Sequence, residues 1–505
     1  MNRRANTLMV QGTGSSVGKS TLVAALCRIF MQDGVRVAPF KAQNMSNNAF
    51  VTPDGLELGR AQAVQAAAAG IESSSDMNPI LLKPEGDGQS QVVLNGRSQG
   101  SFKARSYYQG RDTLWTHVTA ALDRLRDEHE LVVIEGAGSP AEVNLRDRDI
   151  ANMEVALYAG SPVLLAGDID RGGVFAALLG TLELLRPDER ALVSGLIINK
   201  FRGDRSLLEP LPAMIADRTG VEVVGVVPMV PDLQVQEEDG MSIERQSAAG
   251  AGGPLFAAVI RLPRISNFDD FDPLIRAGVR VRYVTSPSEL REAHIVIIPG
   301  TKNTIADLRW MKSRGLDSAV VEAEKRGAAV VGLCGGFQIL GRRLEDRSGI
   351  DNGVPGVEQG LGLLPVDTTF DGEKVTRRVE FRALNSAPGW KVGAGGAGYE
   401  IHAGRSVRSG GSTTAGLIEL HTIAGDVYED GAVCENGRLF GCYVHGLFDS
   451  PGILVPFLTA TAMRNGLDAP AVEPFSMDNE FDRLADAVRN SVNMDAIRRM
   501  AGLAR

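Results

Sequence analysis

Apolar residues fall in short runs rich in Val, Ile and Leu, with longer helical stretches between them. Runs without polar alternation fit strands buried on both faces. Their alternation with helices predicts βαβ units and parallel sheets. In the first half the predicted strands lie at 7–10, 35–40, 131–134, 162–166, 192–198 and 221–227, the last closed by Pro228. The stretch 234–254, QVQEEDGMSIERQSAAGAGGP, is charged and then small and Gly-rich, and predicts a linker. The pattern restarts at 255–260, 279–284, 294–298 and 328–333. Gly and Ser crowd 385–415, which predicts a loop or hairpin insertion, and 481–505 reads as helical. The expected layout is an α/β unit at 1–233, a linker at 234–254, a second α/β unit at 255–450 and a helical extension at 451–505.

Composition narrows the function classes. The chain has 505 residues, 44% hydrophobic and 23% charged, with a formal net charge of −9. These values fit a globular protein and exclude a disordered chain. The acidic balance argues against a nucleic-acid binder. No run approaches the ~18 apolar residues of a membrane helix. The apolar run after Arg3 and Arg4 is too short for a signal peptide, so the expected location is the cytoplasm. Four cysteines in such a chain read as reduced thiols, one of them a candidate catalyst.

Candidate chemistry appears twice. After the first strand comes Gly12-Thr13-Gly14-Ser15-Ser16-Val17-Gly18-Lys19-Ser20, then a helical run. Strand, Gly-rich loop and helix in this order make a phosphate cradle of backbone N–H groups at a positive helix end. Thr13, Gly14 and Gly18 belong to that loop. Lys19 would neutralise phosphate charge, and the Ser20 hydroxyl would ligate Mg²⁺. Five residues separate Gly12 from Gly18, one more than the standard loop has. Glu135 ends the strand 131–134 and is a second candidate Mg²⁺ ligand, because carboxylates at such strand ends face the ligand crevice. Asp168, Asp170 and Arg171 in GDIDRGG could hold metal, phosphate or a carboxylate, or form a charged turn. Asn199 could read a purine edge, and Lys41 could reach phosphate or a substrate carboxylate.

In the second half the strand 328–333 runs into Cys334-Gly335-Gly336-Phe337-Gln338. A reactive residue on a sharp strand-to-helix turn among small neighbours is a nucleophile elbow, written here with Cys. The helix start favours the thiolate. The Gly335 N–H can donate to an oxyanion, and the turn at Gly300 offers a second donor. A Cys nucleophile needs a base. His445, after an apolar strand and before Gly446, has the best context, and His402 in GYEIHAG is the second choice. Cys27, Cys434 and Cys442 read as structural.

GLCGGFQILG around Cys334 and YVHGLF around His445 resemble the class I glutamine amidotransferases, and GTGSSVGKS with VVIEGAG resembles dethiobiotin synthetase and its relatives. Their fusion in this order resembles the cobyrinic acid amidases of cobalamin biosynthesis. KAQNMSNNA and GDIDRGGVFA are similar to the branch that completes the peripheral amides. The resemblance implies a P-loop-like parallel-sheet synthetase followed by a class I glutaminase-like α/β domain. It implies ATP with Mg²⁺, glutamine and a corrinoid substrate, and amidation of the b, d, e and g carboxylates of adenosylcobyrinic acid a,c-diamide. It also suggests Glu57 as a metal carboxylate. The alternatives are a sister enzyme acting on the a and c carboxylates and, from another class, a partitioning-type ATPase scaffold. That scaffold is disfavoured because its early loop lysine is missing. Typical class I glutaminases carry Glu two residues after the His, where this chain has Leu447.

Overall fold

A computed structural model describes residues 4–503 except 87, 237–252, 352, 373, 385, 387–388 and 410–413. Most of the expected linker therefore lies outside the described residues. The chain divides into two compact units. One comprises Met1–Ser46, Glu57–Asp239 and Phe475–Arg505, the other Asn47–Leu56 and Gly240–Pro474.

The first unit is built on a parallel sheet with described strands in the order Val223–Pro228, Val193–Phe201, Val163–Asp168, Asn6–Gly12, Leu131–Glu135 and Val37–Phe40. The expected strands are all present, displaced by up to three residues at their ends. Register pairs Met9 with Ile134 on one side and with Val163 on the other, so the central strand is buried throughout its apolar run. The order brings the C-terminal ends of Asn6–Gly12, Leu131–Glu135 and Val163–Asp168 side by side, where parallel α/β sheets bind ligands. A separate small sheet of Gln43–Met45, Ile80–Gly86, Gln89–Leu94 and Arg97–Lys103 was not foreseen. Its last strand is exposed along its whole length, so it carries no buried-face alternation for the sequence to display.

The C-terminal residues do not behave as one appendage. Met477–Arg489 and Met494–Met500 place Phe481, Leu484, Val488 and Ile497 in the same core as Leu22 and Phe30. Arg28 holds the first of these helices further, through Asp482 at 2.7 Å and Asp478 at 3.0 Å. Pro451–Arg464 packs instead in the second unit, where Phe457 meets Phe440 and Phe448.

The second unit has a sheet in the order Arg280–Val284, Phe256–Ile260, Ile295–Ile298, Ala329–Leu333 and Leu439–Cys442, these five parallel, continued by two antiparallel strands. The stretch expected as a loop or hairpin contains Gly395–His402, antiparallel to Val375–Ala383. Its glycines reflect contact rather than looseness. A Cβ on Gly395 would stand 1.9 Å from the Phe381 carbonyl oxygen, and one on Gly398 2.6 Å from that of His445. No described helix is long and apolar enough to cross a membrane.

Candidate active site

The phosphate loop closes on itself. Gly18, at φ +96, caps Lys19–Gln32, and a Cβ there would lie 2.3 Å from Asn199 Nδ2. Only glycine fits such a left-handed, crowded position. The Thr13 N–H donates to Ala166 O at 2.9 Å. Lys19 Nζ donates to Gly14 O and Gly138 O, both at 2.9 Å, so the ammonium group is held between the loop and the turn after Leu131–Glu135. Lys200 donates to Ser16 O and pairs with Asp168 at 3.1 Å. Asn199, expected to face a purine, donates its Nδ2 to Val17 O at 2.8 Å and so braces the loop.

Glu135 is buried at the strand end. It accepts from Ser20 Oγ at 2.8 Å, from Lys41 Nζ at 2.9 Å and from Gln65 Nε2 at 2.5 Å. Burial alone would raise its pKa, but Lys41, with Gln65 and Ser20, holds it below the ordinary carboxylate value. The structure thus brings Ser20, Glu135 and Lys41 together. Glu57 forms a buried ion pair with Lys83. Asp170 pairs with Arg202 at 3.2 Å.

In the second unit Cys334 sits between Ala329–Leu333 and Gly335–Leu340 with φ 50 and ψ −109, a conformation a non-glycine residue adopts only under strain. The flanking glycines allow it. A Cβ on Gly336 would stand 1.9 Å from Ile298 O, and one on Gly335 2.7 Å from Thr301 Cγ2. The turns at Gly300 and Cys334 are therefore in contact, and the Gly300 Cβ position lies 3.1 Å from His445 Cε1. Cys334 is 5% exposed, and its Sγ lies 3.5 Å from Ile401 O. Burial raises the pKa values of Cys27, Cys434 and Cys442.

The residue that sequence reasoning missed is Asp270. Its Oδ2 lies 2.7 Å from His445 Nδ1, and its Oδ1 accepts from the Gly446 N–H at 2.9 Å. Nδ1 is thereby engaged, which leaves Nε2 as the nitrogen for the Cys334 thiol. Burial would lower the imidazole pKa, but the Asp270 carboxylate and the hydrogen bond to Cys334 raise it to about 10. Leu447, standing where a Glu is usual, is buried in the core. The acid comes from 175 residues earlier in the chain, and its only sequence signal is a pair of acids between two phenylalanines, Phe268-Asp269-Asp270-Phe271. His402 is instead packed on Tyr443, centroid to centroid 3.7 Å, with Nδ1 3.0 Å from Gly404 O.

A family model described as the CobB/CobQ-like glutamine amidotransferase domain matches residues 256–453, and one described as the CobQ/CobB/MinD/ParA nucleotide binding domain matches residues 8–243. A cobyric acid synthase of Sorangium cellulosum is 50% identical over 518 aligned residues, covering 99% of each chain. Another, of Desulforudis audaxviator, is 49% identical and covers 99% of this chain and 100% of its own. The chain belongs to the cobyric acid synthase family. It is an amide-forming ligase that draws nitrogen from glutamine, in cobalamin biosynthesis, with a nucleotide-binding P-loop-type half and a glutamine amidotransferase half. Neither the a,c-diamide alternative nor the partitioning scaffold gains support from these relatives.

Proposed function

We propose that the chain converts adenosylcobyrinic acid a,c-diamide to adenosylcobyric acid in the cytoplasm, amidating the b, d, e and g carboxylates in turn. Cys334 passes its proton to His445 Nε2 and, as the thiolate, attacks the side-chain amide carbon of glutamine, with Gly335 and Gly300 donating to the oxyanion. The His445 imidazolium, held by Asp270, gives its proton to the leaving nitrogen and then manages the water that hydrolyses the γ-glutamyl thioester. The observation that carries this half is the strained Cys334 turn meeting an imidazole whose other nitrogen is fixed by a buried carboxylate.

In the other half a corrin carboxylate oxygen attacks the γ-phosphorus of ATP, and ADP leaves. Ammonia then attacks the acyl carbon, and phosphate departs. Thr13, Gly14, Gly18 and Lys19 hold the phosphates, and Asn199 keeps the loop in shape. Ser20 and Glu135 fit a Mg²⁺ ion, since a hydroxyl and a carboxylate already stand 2.8 Å apart beside the loop. Mg²⁺ would neutralise phosphate charge there. Lys41 and Asp170 are assigned to the substrate or its phosphate, and Glu57 remains a proposed metal carboxylate. Mass spectrometry of the protein quenched during glutamine turnover is expected to find a γ-glutamyl adduct on Cys334. An adduct elsewhere, or glutamine consumption by Cys334→Ala at the wild-type rate, would refute the assignment.

A further inference from the structure

Residues Asn47–Leu56 come from the nucleotide-binding half of the sequence yet belong to the second compact unit. They reach both supports of the His445 imidazole. The first is Tyr399. Its ring stacks on that of His445 with centroids 5.3 Å apart and planes at 23°, and the two residues exchange backbone hydrogen bonds of 2.9 and 3.2 Å. The rings of Phe50 and Tyr399 meet in a T-shaped pair with centroids 5.1 Å apart. Phe50 is itself held in place by Arg378, whose guanidinium lies 5.2 Å from its ring and donates to Val51 O at 2.8 Å.

The second support is the turn Phe268–Phe271, which carries Asp270. Asn267 caps that turn in the left-handed region at φ 51. Its side-chain amide exchanges two hydrogen bonds of 3.3 Å with the backbone of Ala49 and donates to the Tyr399 hydroxyl at 3.0 Å. One buried amide therefore ties the inserted segment, the aromatic plate and the start of the acid's turn together. Simple packing of the segment would not require its contacts to converge on the two groups that hold the imidazole.

We propose that Phe50 and Asn267 are positioning residues of the glutaminase centre, fixing Tyr399 and the Asp270 turn so that His445 meets Cys334 at the reactive angle. The proposal rests on the glutaminase reading above. Misplacement of a catalytic group by about 1 Å lowers a rate by as much as ~100-fold. Phe50→Ala in the full chain is accordingly expected to lower kcat for glutamine hydrolysis by about 10- to 100-fold, with KM for glutamine within twofold. Its alkaline limb in the pH–rate profile is expected to move down, because a loosened imidazole loses part of its hold on Asp270. Phe50→Tyr keeps the aromatic ring and is expected to restore most of the rate. A kcat for Phe50→Ala within twofold of wild type would overturn the proposal, as would equal losses in Phe50→Ala and Phe50→Tyr. Should Phe50→Ala fail to fold, judged by thermal melting, Asn267→Ala and Tyr399→Phe decide. A lowered kcat with an unmoved KM in both supports the proposal, and wild-type rates in both reject it. A wild-type chain that does not hydrolyse glutamine would instead reject the reading on which the proposal stands.

Discussion

At the scale of single residues, His445 carries the most chemistry. Its pKa, raised to about 10, means that the imidazolium persists across neutral pH, with the Cys334 sulfur accepting its hydrogen bond. The sign follows from linkage. A histidine raised above 6.5 on folding adds stability that is full below 6.5 and is lost as pH rises through about 10. Asp270→Asn keeps the size of the side chain and removes the charge. It is expected to lower glutamine-dependent kcat by roughly 100-fold or more and to bring the alkaline limb of the pH–rate profile down. An unshifted limb in steady-state assays would show that Asp270 does not hold the imidazolium. Cys334, His445 and the Lys19 loop were legible because each sits in a local pattern, with strand, glycines and helix within a few residues. Asp270 was not, because its role exists only across 175 residues of intervening chain.

At the scale of elements, apolar runs foretold the strands of both parallel sheets, since strands buried on both faces write their burial directly into sequence. Over 385–415 the sequence leaves loop and hairpin open, because glycines needed for close approach to Phe381 and His445 look like turn residues in one dimension; the strand Gly395–His402 decides for the hairpin. The same sheet holds a buried acidic cluster. Asp430 accepts from the Tyr443 N–H at 2.8 Å, two residues before His445. Burial first, and then the Glu400 charge, raise its pKa from 3.8 to about 7. An acid raised on folding gives stability that is full below 3.8 and is lost as pH climbs through about 7. Asp430→Asn can keep the Tyr443 bond without that titration. Its melting temperature is expected to gain on wild type between pH 5 and pH 8, followed by differential scanning fluorimetry. A constant difference across that range would mean that Asp430 does not ionise there.

At the scale of the whole molecule, the order of the chain and the make-up of its units diverge. Asn47–Leu56 belongs with Gly240–Pro474, and Phe475–Arg505 belongs with the nucleotide-binding unit. Composition could mark the stretch near 240 but not these exchanges, since an amphipathic terminal helix has the same pattern whichever core it joins. Phe481, 2% exposed, is the core anchor of that helix. Phe481→Ala is expected to destabilise the nucleotide-binding unit by about 3–5 kcal/mol in urea unfolding. A loss below about 1 kcal/mol would mean that the terminal helix contributes little to that core.

Two centres in one chain, a thiol that frees nitrogen and a phosphate loop that activates an acid, make a demand on the fate of one atom. Adenosylcobyrinic acid a,c-diamide, MgATP and glutamine labelled with heavy nitrogen in its side-chain amide should be incubated with the wild-type chain, Cys334→Ala and Lys19→Ala, and the corrinoids weighed by mass spectrometry. Wild type is expected to add labelled amides stepwise to the four remaining peripheral carboxylates. Cys334→Ala is expected to add amides only when free ammonia is supplied, and Lys19→Ala to add none from either source. Labelled amides from Cys334→Ala, amidation by Lys19→Ala at the wild-type rate, or a wild-type chain that leaves the diamide unchanged would contradict the pairing of the two centres.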